Sequence, residues 1–402
     1  MRKFFRAFAL TLCAALTMSF ASCSSGSSDS EEKTGPTAVT TESPENVAVT
    51  TYTVTFDSDG GSEVASQTVE SGKTATRPTD PTKTGYSFNG WYNCDTAFDF
   101  AAAIEGDVTL KVKWLTVKDF VKVTGTTIKG DETWIPSSIV FKSGRSLTID
   151  DLYVSDHEVT QSEYEKYCKY GSKSPDDTYG KGDNFPAYYV RWYDAVVYCN
   201  LRSMDEGLIP VYSLGGETDP SKWSGIVSTT TGDVTKYCGP SSTDTTWNGM
   251  TFDTTADGYR LPTEAEWEYI ARGAGNSTTT YSGSNTIGEV AWYKENSYNK
   301  GSDDPDYGTH EVKSDKVSGT DSANALDIYD MSGNVCEWCW DWYGSISSST
   351  DAAGAASGSY RVLRGGSWGD NASFCTVSFR SSSLPNYRYD SLGFRVVRSS
   401  SN

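Results

Sequence analysis

The side chains able to do chemistry are few in kind. The 402 residues hold only two histidines, His157 and His310, against nine cysteines. Two imidazoles cannot build the cluster of histidines with a carboxylate that non-haem iron requires. Asp156-His157-Glu158 sets imidazole beside two acids. Successive strand residues point to opposite faces, so the triplet is expected to be a solvated strand edge rather than an ion site. Thiols are the richer resource. Cys13 and Cys23 belong to the N-terminal leader, which leaves Cys94, Cys168, Cys199, Cys238, Cys336, Cys339 and Cys375. Seven is odd, so complete internal pairing is impossible, and connectivity cannot be read from sequence. Cys336-Glu337-Trp338-Cys339 is a C-x-x-C without the βαβ context of a redox motif, so packing or a disulfide is expected there.

The elements that must position these groups follow from composition. MRKFFRAFALTLCAALTMSFASC opens the chain with basic Arg2, Lys3 and Arg6 and a short apolar run. That is the pattern of an export signal, residues 1–22. Phe20-Ala21-Ser22-Cys23 resembles a lipoprotein cleavage box, with Phe20 where Leu is usual, so lipidation of Cys23 and a lipid-anchored, surface-exposed protein are expected. Cleavage would remove three positive charges, taking the net charge from −19 to −19 − 3 = −22. So acidic a chain repels phosphate backbones, which argues against nucleic acid as a partner and leaves the membrane contact to the lipid. Residues 23–51 are Ser, Thr, Glu and Pro with almost no large apolar side chain, the composition of a disordered tether.

Residues 52–114 read as a small β module. YTVTF alternates and runs into the DSDGG turn, and VTLKVKW alternates again. Gly85-Tyr86-x-Phe88-x-Gly90-Trp91-Tyr92 resembles the internalin-type B-repeat, which implies a β-grasp-like domain acting as a spacer or in adhesion. Residues 116–402 form one larger unit holding ten of the twelve tryptophans. Helices are expected over 162–167, 192–204 and 262–270, the last with Pro262 in its first turn and with Trp267 and Ile270 packing inward. Long Gly, Ser, Thr and Asp stretches between them need ions, disulfides or dense aromatic packing to hold them.

Five ordered motifs in this unit carry a resemblance. They are Glu158-Val159-Thr160-Gln161, Tyr259-Arg260-Leu261-Pro262-Thr263-Glu264-Ala265-Glu266-Trp267-Glu268, Tyr329-Asp330-Met331-Ser332-Gly333-Asn334-Val335-x-Glu337-Trp338, Arg364-Gly365-Gly366-Ser367-Trp368 and Leu392-Gly393-Phe394-Arg395. Together they resemble the formylglycine-generating enzyme, or sulfatase-modifying factor, family. The resemblance implies an α+β, C-type-lectin-like fold with much irregular structure. It also implies oxidation of a sulfatase cysteine by oxygen and a copper ion held by two thiolates five residues apart. The corresponding positions here are Asp370 and Cys375, so one soft thiolate has become a hard carboxylate and a two-thiolate copper site cannot form from this pair. Cys336 stands where those enzymes place an active-site tryptophan, and Ser367 alone is retained. The resemblance also puts a structural Ca²⁺ on the Asp330 and Glu337 side chains and the Gly333 and Val335 carbonyls. Hard oxygens from a tight loop suit that ion, although the two acids could instead cap the Gly-Asn turn.

Between the last two motifs, residues 369–391 contain no Lys, Glu, Gln, Met or Trp. Every residue present can be encoded by a codon ending in a pyrimidine, the set that adenine-directed mutagenesis of Asn codons produces. This resembles retroelement-diversified surface lipoproteins of the treponemal variable protein type, which carry variable side chains on a fixed lectin-like scaffold. The resemblance implies a ligand-binding surface of Gly369, Asp370, Asn371, Ser373, Phe374, Phe379, Ser381, Ser382, Ser383, Leu384, Tyr387, Tyr389, Asp390 and Ser391, facing an unnamed protein or glycan. Its Tyr, Phe, Ser, Asn and Gly content matches that of antibody paratopes. Three expectations stand side by side: a catalytically inactive binding module, an oxidase of the formylglycine-generating type with altered chemistry, and a structural surface protein.

Overall fold

The computed structural model describes residues 49–400 except 95, 136, 315–321 and 350–353. The leader, Cys23 and nearly all of the expected tether lie outside the described residues.

The repeat is a five-stranded sheet. Thr51–Asp57 lies between Gln67–Glu70 and Val108–Thr116, and Tyr86–Asn93 and Thr96–Ala97 follow outward. The first and last long strands pair in parallel at the centre, with Val54 opposite Val108 and Phe56 opposite Leu110. Period-two alternation sends Val54, Phe56, Leu110 and Val112 to one face, where they pack with Trp91. Gly61 is required by close approach, because a Cβ there would fall 2.4 Å from the Trp114 ring. The repeat bonds directly to the larger unit: Ser87 Oγ lies 2.8 Å from the Tyr153 hydroxyl, and Lys113 Nζ donates to the Gly207 carbonyl.

Among its described residues the larger unit has three α-helices, α1 (Gln161–Tyr167), α2 (Trp192–Asp205) and α3 (Glu264–Ala271). Thr160 with Glu163, and Thr263 with Glu266, form reciprocal capping boxes at α1 and α3. Pro262 therefore stands outside α3, ahead of the cap, rather than in its first turn. Trp267 and Ile270 are buried as expected, but so is every other residue of α3. Its acids are held by arginines: Glu266 by nearby Arg260, Glu268 by Arg272 at the end of α3 and by distant Arg364, and Glu264 by distant Arg380.

Two four-stranded sheets organise the rest. One runs Tyr259–Arg260, Val397–Ser399, Leu152–Ser155, Phe120–Val123. The other runs Ser381–Ser383, Arg361–Arg364, Cys336–Trp342, Leu392–Gly393. Trp192, Trp247, Trp267 and Trp338 are fully buried. The Arg361 guanidinium is wedged 3.4 Å from the Trp342 ring centre and 3.8 Å from that of Trp192. Aromatic packing and buried ion pairs thus hold the irregular chain.

The Asp156-His157-Glu158 triplet is not a solvated edge. His157 and Glu158 are buried, and Asp156 Oδ1 lies 2.5 Å from His157 Nδ1. Glu163 lies 3.3 Å from Nε2, while Glu158 turns the other way to accept from the Val335 N–H and the Asn334 side chain. The alternation argument fails here, because the strand ends at Ser155 and the bend after it brings the Asp156 and His157 side chains together.

Candidate functional site

The segment 369–391 is framed by chain that never reaches solvent. Arg361 to Trp368 are all buried, as are Leu392 to Arg398. Both flanks belong to one sheet: Arg361–Arg364 pairs antiparallel with Cys336–Trp342, and Leu392–Gly393 pairs in parallel with Cys336 and Glu337. Gly366, with φ +68°, is imposed by proximity. A Cβ there would lie 2.7 Å from Cys375 Sγ and from the Phe374 carbonyl.

The frame grips this segment largely through its main chain. Arg364 donates to the Val377 carbonyl at 2.9 Å and also to the Phe379 carbonyl. Trp368 Nε1 donates to the Asp390 carbonyl at 3.1 Å. The N–H groups of Lys294, Tyr189 and Cys336 donate to the carbonyls of Asp370, Tyr389 and Ser391. Main-chain partners are the same whichever side chain the residue carries, so these anchors tolerate substitution. Sequence reading singled out neither Arg364 nor Trp368 as an anchor. A charged residue fixed between glycine and strand signals was the available clue.

Outward, the side chains divide. Phe374, Tyr387 and Tyr389 are 38%, 45% and 47% exposed. Phe374 stacks at a tilt on Phe379 with centroids 4.8 Å apart, and Tyr387 meets Tyr389 edge-on at 6.2 Å. Asn371 and Ser373 are exposed, and Gly369, Phe379, Ser381, Ser382, Leu384, Asp390 and Ser391 are half-buried. Ser383 departs from expectation. It is buried opposite Arg361 in the sheet, so it presents nothing to a ligand.

Beneath Phe374 and Phe379 lies a pocket of about 200 Å³, lined also by Cys336, Leu363, Arg364, Gly366, Asp370 and Ser381. Asp370 turns inward. Its Oδ2 accepts from Ser367 Oγ at 2.6 Å and stands 3.7 Å from Cys336 Sγ. Cys375 is buried, its thiol 3.8 Å from the Asn371 carbonyl. Burial, then the Asp370 charge, pushes Cys375 up to about 12, and the same two causes raise Cys336. Both thiols are thereby held protonated, the reverse of an activated nucleophile. Among the described residues, Cys168, Cys199, Cys238, Cys336, Cys339 and Cys375 are free thiols. The two-thiolate copper chemistry implied by the family does not fit a pocket in which a carboxylate fills one thiol position.

The side chains expected to hold calcium meet protein partners here. Both oxygens of Glu337 face the Arg395 guanidinium, and Trp267 Nε1 donates to Oε2 at 2.7 Å. Asp330 Oδ2 accepts from the Lys313 N–H at 2.8 Å. Gly333 and Val335 lie in the turn between them, whose N–H groups bond to the Gly365 carbonyl and Glu158. Arg395 thus supplies one positive charge and pairs directly with Glu337, while Asp330 keeps the Lys313 N–H as its partner.

A family model for the sulfatase-modifying factor enzyme 1-like domain matches residues 111–400, well over half of the chain. The chain belongs to that family. A Listeria-Bacteroides repeat model matches residues 52–113, the five-stranded sheet. The chaperone protein LppX of Paenibacillus barcinonensis is 34% identical over 69% of this chain and 92% of its own length. The formylglycine-generating enzyme of Streptomyces coelicolor is 35% identical over 38% of this chain and 50% of its own. The chain therefore spans only half of that enzyme. Among solved structures, Treponema denticola variable protein 1 superimposes with a TM-score of 0.54 at 30% identity, covering 69% of this chain and 94% of that one.

Proposed function

We propose that this chain is an exported lipoprotein, anchored through Cys23, whose C-terminal domain binds a protein or glycan ligand with diversified side chains of residues 369–391. One observation carries the reading. The segment's main chain is fixed from below by Arg364, Trp368 and backbone donors, while Phe374, Tyr387 and Tyr389 stand exposed above. Exposed aromatics on a rigid base supply large contact area at little entropic cost. Likeness over most of its length to a solved variable protein supports the same reading. The repeat then carries the domain outward. An oxidase is the weaker reading, because Asp370 occupies a thiol position and burial, with the Asp370 charge, holds Cys336 and Cys375 protonated.

The test is deep sequencing of the codons for 360–400 across a natural population, with a genome search for a near-copy. Substitutions at template adenines confined to 369–391 are expected. An invariant segment with no near-copy would sink the proposal.

A further inference from the structure

A second cleft lies near the segment. It measures about 450 Å³, and Phe185, Trp292 and Tyr307 are among the residues that line it. Its charged lining is Asp177, Asp306 and Glu311 against Lys181, formally −3 + 1 = −2 with His310 neutral. Tyr307 joins this cleft to the variable surface. Its ring meets Trp368 edge-on at 5.1 Å, and Trp368 holds the Asp390 carbonyl. Tyr179 and Tyr298 lie against the same indole at 5.8 and 5.9 Å. Tyr298 is 47% exposed, and all of these rings stand outside 369–391.

Aromatic faces carry negative charge density, and carboxylates beside them add to it, so the pairing favours a cation that can also bury methylenes. A chain of net charge −19 would draw a basic surface toward it. We propose that this cleft is a fixed subsite for the lysine or arginine side chain of a protein ligand. The charged groups here are three carboxylates and one ammonium, a balance that favours a cation over a neutral sugar. The subsite does not rest on diversification of 369–391 and stands or falls separately.

The test uses the full chain and Nα-acetyl-lysine methylamide, titrated by NMR with Nα-acetyl-norleucine methylamide and a neutral monosaccharide as comparators. Saturable, roughly millimolar binding of the lysine probe is expected, weakened by added salt. The norleucine probe should bind about tenfold more weakly, the scale of a cation–π contact with a nearby charge. Asp306→Asn and Tyr307→Ala should each weaken the lysine probe about fivefold or more, while Val234→Ala, an exposed residue outside both the cleft and 369–391, leaves it unchanged. Should Tyr307→Ala fail to fold, Glu311→Gln with Asp306→Asn decides. Equal binding of the norleucine probe, tighter binding of the monosaccharide, no saturation, or full binding by Asp306→Asn would each overturn the proposal.

Discussion

Arg395 closes a two-pronged ion pair on Glu337, with Nη2 2.7 Å from Oε1 and Nε 2.8 Å from Oε2, and neither side chain reaches solvent. Breaking one side of such a buried pair strands the other charge, at a cost of about 3–5 kcal/mol. Glu337→Gln should therefore lower the unfolding midpoint by many degrees, equally in calcium and in EGTA. Asp330 has φ +60° and is pushed up to about 6, chiefly by burial. Asparagine tolerates that backbone and keeps an acceptor for the Lys313 N–H, so Asp330→Asn should fold and be at least as stable at pH 7.5. Thermal unfolding with and without millimolar calcium checks both. A calcium-dependent rise of several degrees, lost in Asp330→Asn, would restore a structural ion.

The buried imidazole predicts a pH dependence. Burial opposes the charge on His157, but its hydrogen bonds to Asp156 and Glu163 prevail and raise it to about 9. A folded value above the unfolded one stabilises fully below about pH 6.5, and that contribution is lost as pH rises through about 9. The shift corresponds to on the order of 3 kcal/mol. Glu163, down at about 2 despite burial, adds stability that is present above its ordinary value and lost only as pH falls toward 2. Asp330 works the other way, since its ionisation between its ordinary value and about 6 costs stability. Denaturant unfolding from pH 6 to 9.5 should show stability falling with pH, and His157→Asn should flatten that slope. A flat wild-type profile would refute the assignment.

What was legible in the sequence was what local pattern and motif order carry. The alternation in YTVTF and VTLKVKW gave the repeat's sheet, and the run 162–167 gave the body of α1, which begins one residue earlier at Gln161. The frame around 369–391 came from the resemblance that its flanking motifs carry, not from any local period. Illegible were pairings set by tertiary contact. Nothing near Glu337 in sequence announces Arg395, 58 residues on. Nor does local composition show that Asp156 and His157 are covered, or that Ser383 rather than Ser382 faces inward. Burial of a short polar segment depends on what packs over it, which no local period encodes.

The thiols should report their surroundings directly. Only Cys94 among the described cysteines is exposed, while Cys336 is half-covered and the other five are buried. Ellman's reagent on the reduced native mature protein should titrate about one described thiol quickly and the rest only in denaturant. Rapid reaction at Cys336 or Cys375, identified by peptide mapping, would mean that the pocket under Phe374 is open and activated, and the oxidase reading would gain ground.

Single-residue changes on the exposed face separate recognition from packing. Tyr387 and Tyr389 touch each other edge-on, with nearly half of each ring in solvent. Truncating an exposed ring leaves no sealed cavity, so Tyr387→Ala, Tyr389→Ala and Phe374→Ala should each shift stability by less than about 1 kcal/mol. Their carbonyls remain, including that of Tyr389, which accepts from Tyr189 N–H, so the anchors persist. Trp368→Ala removes a buried indole and its hydrogen bond to Asp390 and should cost several-fold more, about 3–5 kcal/mol. The check is paired: calorimetry for stability, and capture by a ligand selected on the wild-type chain for binding. Alanine variants that unfold would place these rings in the core. Variants that fold and still capture the ligand would move recognition off this face.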